Sequence, residues 1–361
     1  MRSLRIVGVL VAALAAAALL GHRSGHQPDR DAVAAARQEL GIDLESRRVD
    51  VGAVTLHVVL AGPATGTPVI LLHGFPEFWY AWRGPMRVLA QAGYRVVVPD
   101  QRGYNLSDKP ETVAAYRIDH LAADVVGLAR ALGYERFHLA GHDWGGGVAW
   151  RTALEYPDHV RRLVIIDTPH PFAHRDFTTD EDVVTWYRTF IQLPWIPGWT
   201  ARLGNWALLT HALRDTSKPG TFPEPVLDQF RSAWDRDGAI HTMGMWYRAE
   251  PLDFAGDGRL RLPTLVLVAA EDSYIPADLT RRSASYLDAG EVRELGSGTH
   301  WVIQEEPERI GAILAEHFAG DRVSGATGPL ARLASEAREL FRTQSGVGAL
   351  SGIPLPDALT L

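Results

Sequence analysis

The chain contains no cysteine. That excludes a disulfide, a thiolate nucleophile and a cysteine-ligated metal, and it leaves the redox compartment open. A surplus of positive charge is missing as well. Lys and Arg number 36 against 43 Asp and Glu, a formal net charge of −7, so the overall charge gives no reason to expect nucleic-acid binding. His22 and His26, like His170 and His174, are scattered without metal-ligand spacing, and there is no glycine-rich phosphate loop. Neither a metal nor an organic cofactor is expected. No internal repeat is visible.

What is present is a globular composition: 361 residues, 46% hydrophobic and 22% charged, with 34 Gly and 22 Pro. Such a length builds a large core, as one domain with an insertion or as two domains. Eleven Trp is a high count, and several lie close together (Trp79 and Trp82; Trp186, Trp195, Trp199 and Trp206). They point to an apolar, aromatic-lined cavity, although core packing accounts for most of them. Arg2 and Arg5 precede an apolar run from Ile6 to Leu20, followed by a polar stretch. That layout predicts export or a membrane tether, so residues 1–25 are set apart from the fold.

From there the chain alternates. Residues 28–45 read as a short polar helix or linker, and Val49 to Leu60 as two strands around Gly52. Short apolar runs follow at Val69–Leu72, Arg95–Pro99, Phe137–Ala140, Leu163–Ile166 and Leu265–Val268, with helical spacing between several of them. Strands apolar on both faces imply a mostly parallel sheet covered by helices, an α/β architecture with its core over 46–170 and 252–320. Residues 171–251, rich in aromatics and prolines, read as a helical cap inserted between two strands. Residues 321–361 read as an extension, with one amphipathic helix over Leu330–Phe341.

The stretch Leu139-Ala-Gly-His-Asp-Trp-Gly-Gly-Gly147 carries the chemistry. Gly141-x-Asp143-x-Gly145 has the spacing of a nucleophile elbow and sits where a strand gives way to a helix. Its central residue is aspartate instead of serine, which on its own is also a common helix cap. Other motifs weigh against the cap. His300, in Gly298-Thr-His-Trp301, supplies a base late in the chain. Asp272, just past a strand end, supplies an acid to orient it, with the adjacent Glu271 as the alternative. After another strand, His73-Gly-Phe-Pro-Glu77 places the Phe75 N–H to stabilise negative charge together with the Trp144 N–H, each donor contributing on the order of 3 kcal/mol. The order nucleophile, acid, histidine is that of α/β-hydrolases.

From about Val49 to His317 the chain resembles α/β-hydrolase-fold proteins, most closely the epoxide hydrolases. The likeness is carried by His73–Glu77, by Asp100-x-Arg-Gly-Tyr-Asn-Leu-Ser-Asp108, by Gly141–Gly146 and by Gly298–Trp301. The resemblance implies Asp143 as nucleophile, Asp272 as acid and His300 as base. It also implies two cap tyrosines that bind the epoxide oxygen. The segment Trp186-Tyr-Arg-Thr-Phe-Ile-Gln-Leu-Pro194 points to Tyr187, and Met245-Trp-Tyr-Arg-Ala-Glu-Pro251 points to Tyr247. Phe75, Trp144 and Trp186 are the expected substrate-binding aromatics. Where family members often read Trp-Gly before the acid, this chain has Ala269-Ala270.

Aspartate fits such a reaction. A carboxylate displacing at saturated carbon gives an ester whose carbonyl belongs to the enzyme, so water can attack it; a serine ether would offer no carbonyl. The expected substrate is a small apolar epoxide, with water as the second reactant. A haloalkane dehalogenase would use the same Asp–His–acid set with Trp144 as a halide donor, and a non-catalytic ligand-binding protein on the same fold is the other alternative. Oligomeric state is not legible.

Overall fold

Eight strands form one sheet in the order β1-β2-β4-β3-β5-β6-β7-β8. The structure, a computed structural model, describes residues 32–177, 191–193, 196–249 and 256–320. The expected export segment, Trp186, Tyr187 and the expected helix over Leu330–Phe341 lie outside the described residues. Helix α1 (Ala32–Leu40) leads into β1 (Leu44–Asp50) and β2 (Thr55–Ala61), which pair antiparallel. β2 pairs antiparallel with β4 (Arg95–Pro99). From β4 the sheet is parallel through β3 (Pro68–Leu72), β5 (Phe137–His142), β6 (Val160–Ile166), β7 (Thr264–Val268) and β8 (Gly290–Glu294).

The strand sequences explain their places. Every residue of β4, β5 and β7 is buried, and so is all of β3 after Pro68. Runs of Val, Leu and Ile suit strands covered on both faces. The outer strands are polar: in β1 only Leu44 and Val49 are buried, and in β8 no residue is. Charge along an exposed edge discourages pairing with another chain. β1 corrects the sequence expectation. The strand expected from Val49 begins at Leu44, so Leu44 and Glu45 are strand and not linker, because the backbone is paired with β2 from Leu44 to Asp50. The preceding helix is accordingly short.

Helices α2 (Arg83–Gln91), α3 (Ile118–Ala131) and α4 (Trp144–Glu155) follow β3, β4 and β5. α4 begins at Trp144, directly after Asp143. Between β6 and β7 the chain leaves the sheet for α5 (Pro171–Phe177), α6 (Ile196–Asp215), α7 (Glu224–Trp234) and α8 (Ala239–Arg248). α6 is broken at Leu203–Trp206, where Gly204, Asn205 and Trp206 take positive φ. α7 buries Val226, Leu227, Phe230, Ala233 and Trp234, a helical stripe. The core closes with α9 (Ala277–Arg281), α10 (Val302–Glu305) and α11 (Pro307–Ala319). This is the α/β-hydrolase fold with a helical cap.

Three hydrogen bonds seat the cap on core loops. Trp234 Nε1 donates to the Pro76 carbonyl (2.6 Å), Trp246 Nε1 to that of Arg102 (3.0 Å) and Thr242 Oγ1 to that of Gly103 (2.6 Å). An indole does this well because its ring fills apolar space while its N–H finds an acceptor. On the other side Trp301 Nε1 donates to Thr216 Oγ1 (2.8 Å) and Tyr274 Oη to the Ala212 carbonyl (3.1 Å). Among the described residues no helix is long and apolar enough to cross a membrane.

Candidate active site

β5 delivers Asp143 to the carboxyl end of the sheet. Asp143 sits at φ 51°, ψ −124°, a conformation that costs a non-glycine residue about 1–3 kcal/mol and is kept only where its surroundings enforce it. Two close approaches enforce it here. A methyl group added at Gly141 would collide with the Gly145 carbonyl, and one at Gly145 with the Leu72 carbonyl of β3. The Asp143 carbonyl accepts the Gly147 N–H (3.1 Å) and the Thr168 hydroxyl (3.0 Å). Its carboxylate makes no cap hydrogen bond to α4. The carboxylate turns instead toward the loop after β3, where the Phe75 N–H donates to Oδ1 (2.8 Å). Gly74 leaves the room for this, because a side chain there would meet the Asp143 carboxylate.

His300 lies between β8 and α10 and is 2% exposed. Its Nε2 is 3.8 Å from Asp143 Oδ2, and its Nδ1 is 2.7 Å from Asp272 Oδ2. Asp272 is aimed by its own turn, since its Oδ1 accepts the N–H groups of Tyr274 (2.7 Å) and Ile275 (2.9 Å). Glu271 is exposed, and it is Asp272 that meets the imidazole. The Asp143 side chain is 17% exposed while those of His300 and Asp272 are 3% and 1%. The carboxylate facing the cap is therefore the reachable member.

Charge follows from this geometry. Burial disfavours the imidazolium of His300, but Asp272 and behind it Asp143 outweigh burial and push its pKa up to about 10. Burial raises the Asp272 carboxyl, and the facing imidazole together with two backbone donors brings it below its ordinary value.

Cap aromatics close the approach to Asp143. The Tyr247 ring on α8 packs edge-on against Phe75 (5.3 Å between centroids) and against Trp144 (5.1 Å), and Trp144 also meets Trp246 (5.8 Å). The structure thus brings together Asp143, His300, Asp272, Phe75, Trp144 and Tyr247. Tyr187 and Trp186 fall outside the described residues.

A second group of buried polar residues escaped the sequence reading. His142, next to Asp143, has its ring 4.7 Å from that of His300, and its Nδ1 is 3.2 Å from Glu77 Oε2. Glu77 also accepts from Gln304 Nε2 (2.5 Å). Burial would raise the Glu77 carboxyl, but the hydrogen bond and charge of His142 bring it below its ordinary value. Both residues were visible inside quoted motifs; what joins them is the parallel pairing of β3 with β5. Among the described residues no three His, Asp and Glu side chains are placed to hold a metal ion.

A family model described as alpha/beta hydrolase fold matches residues 67–307. An epoxide hydrolase A of Mycobacterium tuberculosis is 34% identical over 317 residues, covering 76% of this chain and 97% of that protein. An AB hydrolase superfamily protein of Bacillus subtilis is also 34% identical, over 75% of this chain and 96% of its own length. A crystal structure of epoxide hydrolase A from Mycobacterium thermoresistibile superposes with a TM-score of 0.67 at 28% identity, covering 77% of this chain and 99% of that one. The chain belongs to the α/β-hydrolase fold family and within it resembles epoxide hydrolases.

Proposed function

We propose that the protein hydrolyses an apolar epoxide to a vicinal diol through an ester formed on Asp143. What supports this most is the position of His300, whose Nδ1 is held by Asp272 while its Nε2 stands 3.8 Å from the Asp143 carboxylate. The space is too wide for a strong direct hydrogen bond and suits a base acting on a water beside the ester.

Asp143 Oδ2 attacks a ring carbon as the ring C–O bond breaks. The released oxygen takes a proton from Tyr247, with Tyr187 as second donor by the likeness of its segment. Esterification removes the Asp143 charge, so one of the carboxylates holding the imidazolium is gone. The imidazolium returns a proton to the tyrosinate, and the neutral imidazole then takes a proton from water as that water attacks the ester carbonyl. The tetrahedral oxyanion forms at Oδ1, which the Phe75 N–H already reaches, with the Trp144 N–H as proposed partner. Collapse expels the diol as an alkoxide. The alkoxide takes the proton of the new carboxylic acid, leaving Asp143 ionised and His300 protonated as at the start.

Trp144 beside the nucleophile also suits a halide leaving group, which makes dehalogenation the second reading. Substrates separate the two: diol from a styrene-oxide-like epoxide supports the first, and halide release without epoxide turnover the second. Export or tethering by residues 1–25 is proposed on their layout alone, and N-terminal sequencing of the secreted or membrane fraction tests it. For the chemistry, His300→Gln exposed to an epoxide accumulates an adduct on Asp143 by mass spectrometry. No adduct with any epoxide or alkyl halide favours a ligand-binding protein.

A further inference from the structure

The turn that follows α6 is bonded to both loops that carry the base and its acid. Thr216 Oγ1 accepts the indole N–H of Trp301, the residue after His300 (2.8 Å), and donates to the Ala212 carbonyl of α6 (2.6 Å). The same carbonyl accepts the hydroxyl of Tyr274 (3.1 Å), which lies 3.3 Å from Thr216 Oγ1. Tyr274 belongs to the acid loop: its N–H donates to Asp272 Oδ1 (2.7 Å), and its ring centroid stands 5.1 Å from that of His300. The residue before His300 is tied to this turn as well. The Thr299 hydroxyl donates to Glu305 Oε1 (2.7 Å), which also accepts the Lys218 N–H (2.7 Å). Seating of the cap alone does not account for this convergence. Trp301 is 2% exposed, so its N–H needs an acceptor, and any nearby carbonyl of the core would serve. The acceptor is a cap hydroxyl that also meets the acid loop. The bonds of α8, by contrast, end on the Arg102 and Gly103 carbonyls, in neither loop.

We infer that Thr216 is a positioning residue: with its hydroxyl between Trp301 and Tyr274, it makes this corner of the cap set the imidazole of His300 against Asp272 and the Asp143 ester. This rests on the reading of His300 as the base that activates water. Attack by Asp143 is served by other parts, the Phe75 N–H and Tyr247 on α8, so the turn acts on hydrolysis of the ester and not on its formation. A reacting group misplaced by about 1 Å can cost about 10²-fold. Thr216 shares its hold on the histidine loop with the Glu305 link, so a smaller loss, about tenfold, is expected on removing its hydroxyl.

Single turnovers with enzyme in excess over a styrene-oxide-like epoxide separate the two steps, because the ester on Asp143 can be followed by mass spectrometry as it forms and decays. In Thr216→Val the ester forms within about twofold of the parent rate and decays about tenfold more slowly. Thr216→Ser restores the hydroxyl and with it the parent decay. Thr242→Val, which loosens α8, leaves the decay within about twofold of the parent. Tyr274→Phe keeps its ring beside His300 but loses its bond to Ala212, and it is read in the same way if Thr216→Val does not fold. Parent-like decay in Thr216→Val overturns the inference. So does a slowing that Thr216→Ser or Thr242→Val shares, or an equal fall in formation and decay. If the parent forms no ester, it is the reading of Asp143 and His300 that fails. The downfield Nδ1–H proton resonance of His300 then decides the inference: faster exchange with solvent in Thr216→Val than in the parent upholds it, and an unchanged resonance overturns it.

Discussion

The catalytic loops and the cap meet where Tyr247 packs on Phe75 and Trp144 but are held in place by different means. At the strand ends the backbone does the holding. Gly145 touches the Leu72 carbonyl, the Phe75 N–H grips Asp143, and the N–H groups of Tyr274 and Ile275 grip Asp272. On the cap, side chains do it: Trp234, Thr242 and Trp246 reach out to carbonyls of the core. At Gly74, Gly141 and Gly145 an added methyl group would collide with a neighbouring strand or loop. A side-chain grip is a sum of hydrogen bonds, each worth about 1 kcal/mol net. Reaction geometry is thus built into the part that cannot change cheaply, and the covering that meets the substrate into the part that can.

That contrast orders the expected effects. Asp143→Ala removes the nucleophile and abolishes turnover, a loss of about 10⁴-fold or more in kcat with little change in melting temperature. Residual activity above that level would mean that water attacks the substrate directly. Tyr247→Phe removes one proton donor while keeping the ring between Phe75 and Trp144. The expected loss is about 10²-fold in kcat/KM, greatest for substrates with a poor leaving oxygen; an unchanged rate would assign the ring to packing only. Thr242→Val and Trp246→Phe each loosen α8 without touching the chemistry. A rise in KM of a few-fold with kcat nearly kept is expected, and a collapse of kcat in either would show the cap to be as tightly specified as the elbow.

The smallest effect concerns pH. His300 is raised to about 10 because carboxylates outweigh burial. A raised folded value contributes stability that is complete below the ordinary histidine range near about 6.5 and is lost as pH climbs through the folded value. The gap in melting temperature between the parent and His300→Gln therefore narrows on going from neutral pH to about 10. A constant gap would mean that the imidazole is neutral at rest.

The two regions also differ in how far they could be read from the sequence. The elbow was legible because only glycine fits on either side of Asp143, so backbone geometry leaves a mark in residue identity. The choice between Glu271 and Asp272 was not, since neighbouring acids in a turn look alike until one is buried against a histidine. Glu77 and His142 lay inside legible motifs 65 residues apart in sequence, yet their contact depends on β3 lying beside β5. β1 was misplaced because an edge strand is held by backbone pairing and needs no apolar alternation. In the cap, the segment around Tyr247 could be recognised, but the Arg102 and Gly103 carbonyls that fix it could not, because any residue supplies a carbonyl.

The ester on Asp143 is tested most directly by one turnover in ¹⁸O-labelled water with enzyme in excess over epoxide. Attack of water on the enzyme's own ester predicts one labelled oxygen in the peptide containing Asp143 and an unlabelled diol. Label in the diol, with Asp143 unlabelled, would contradict it.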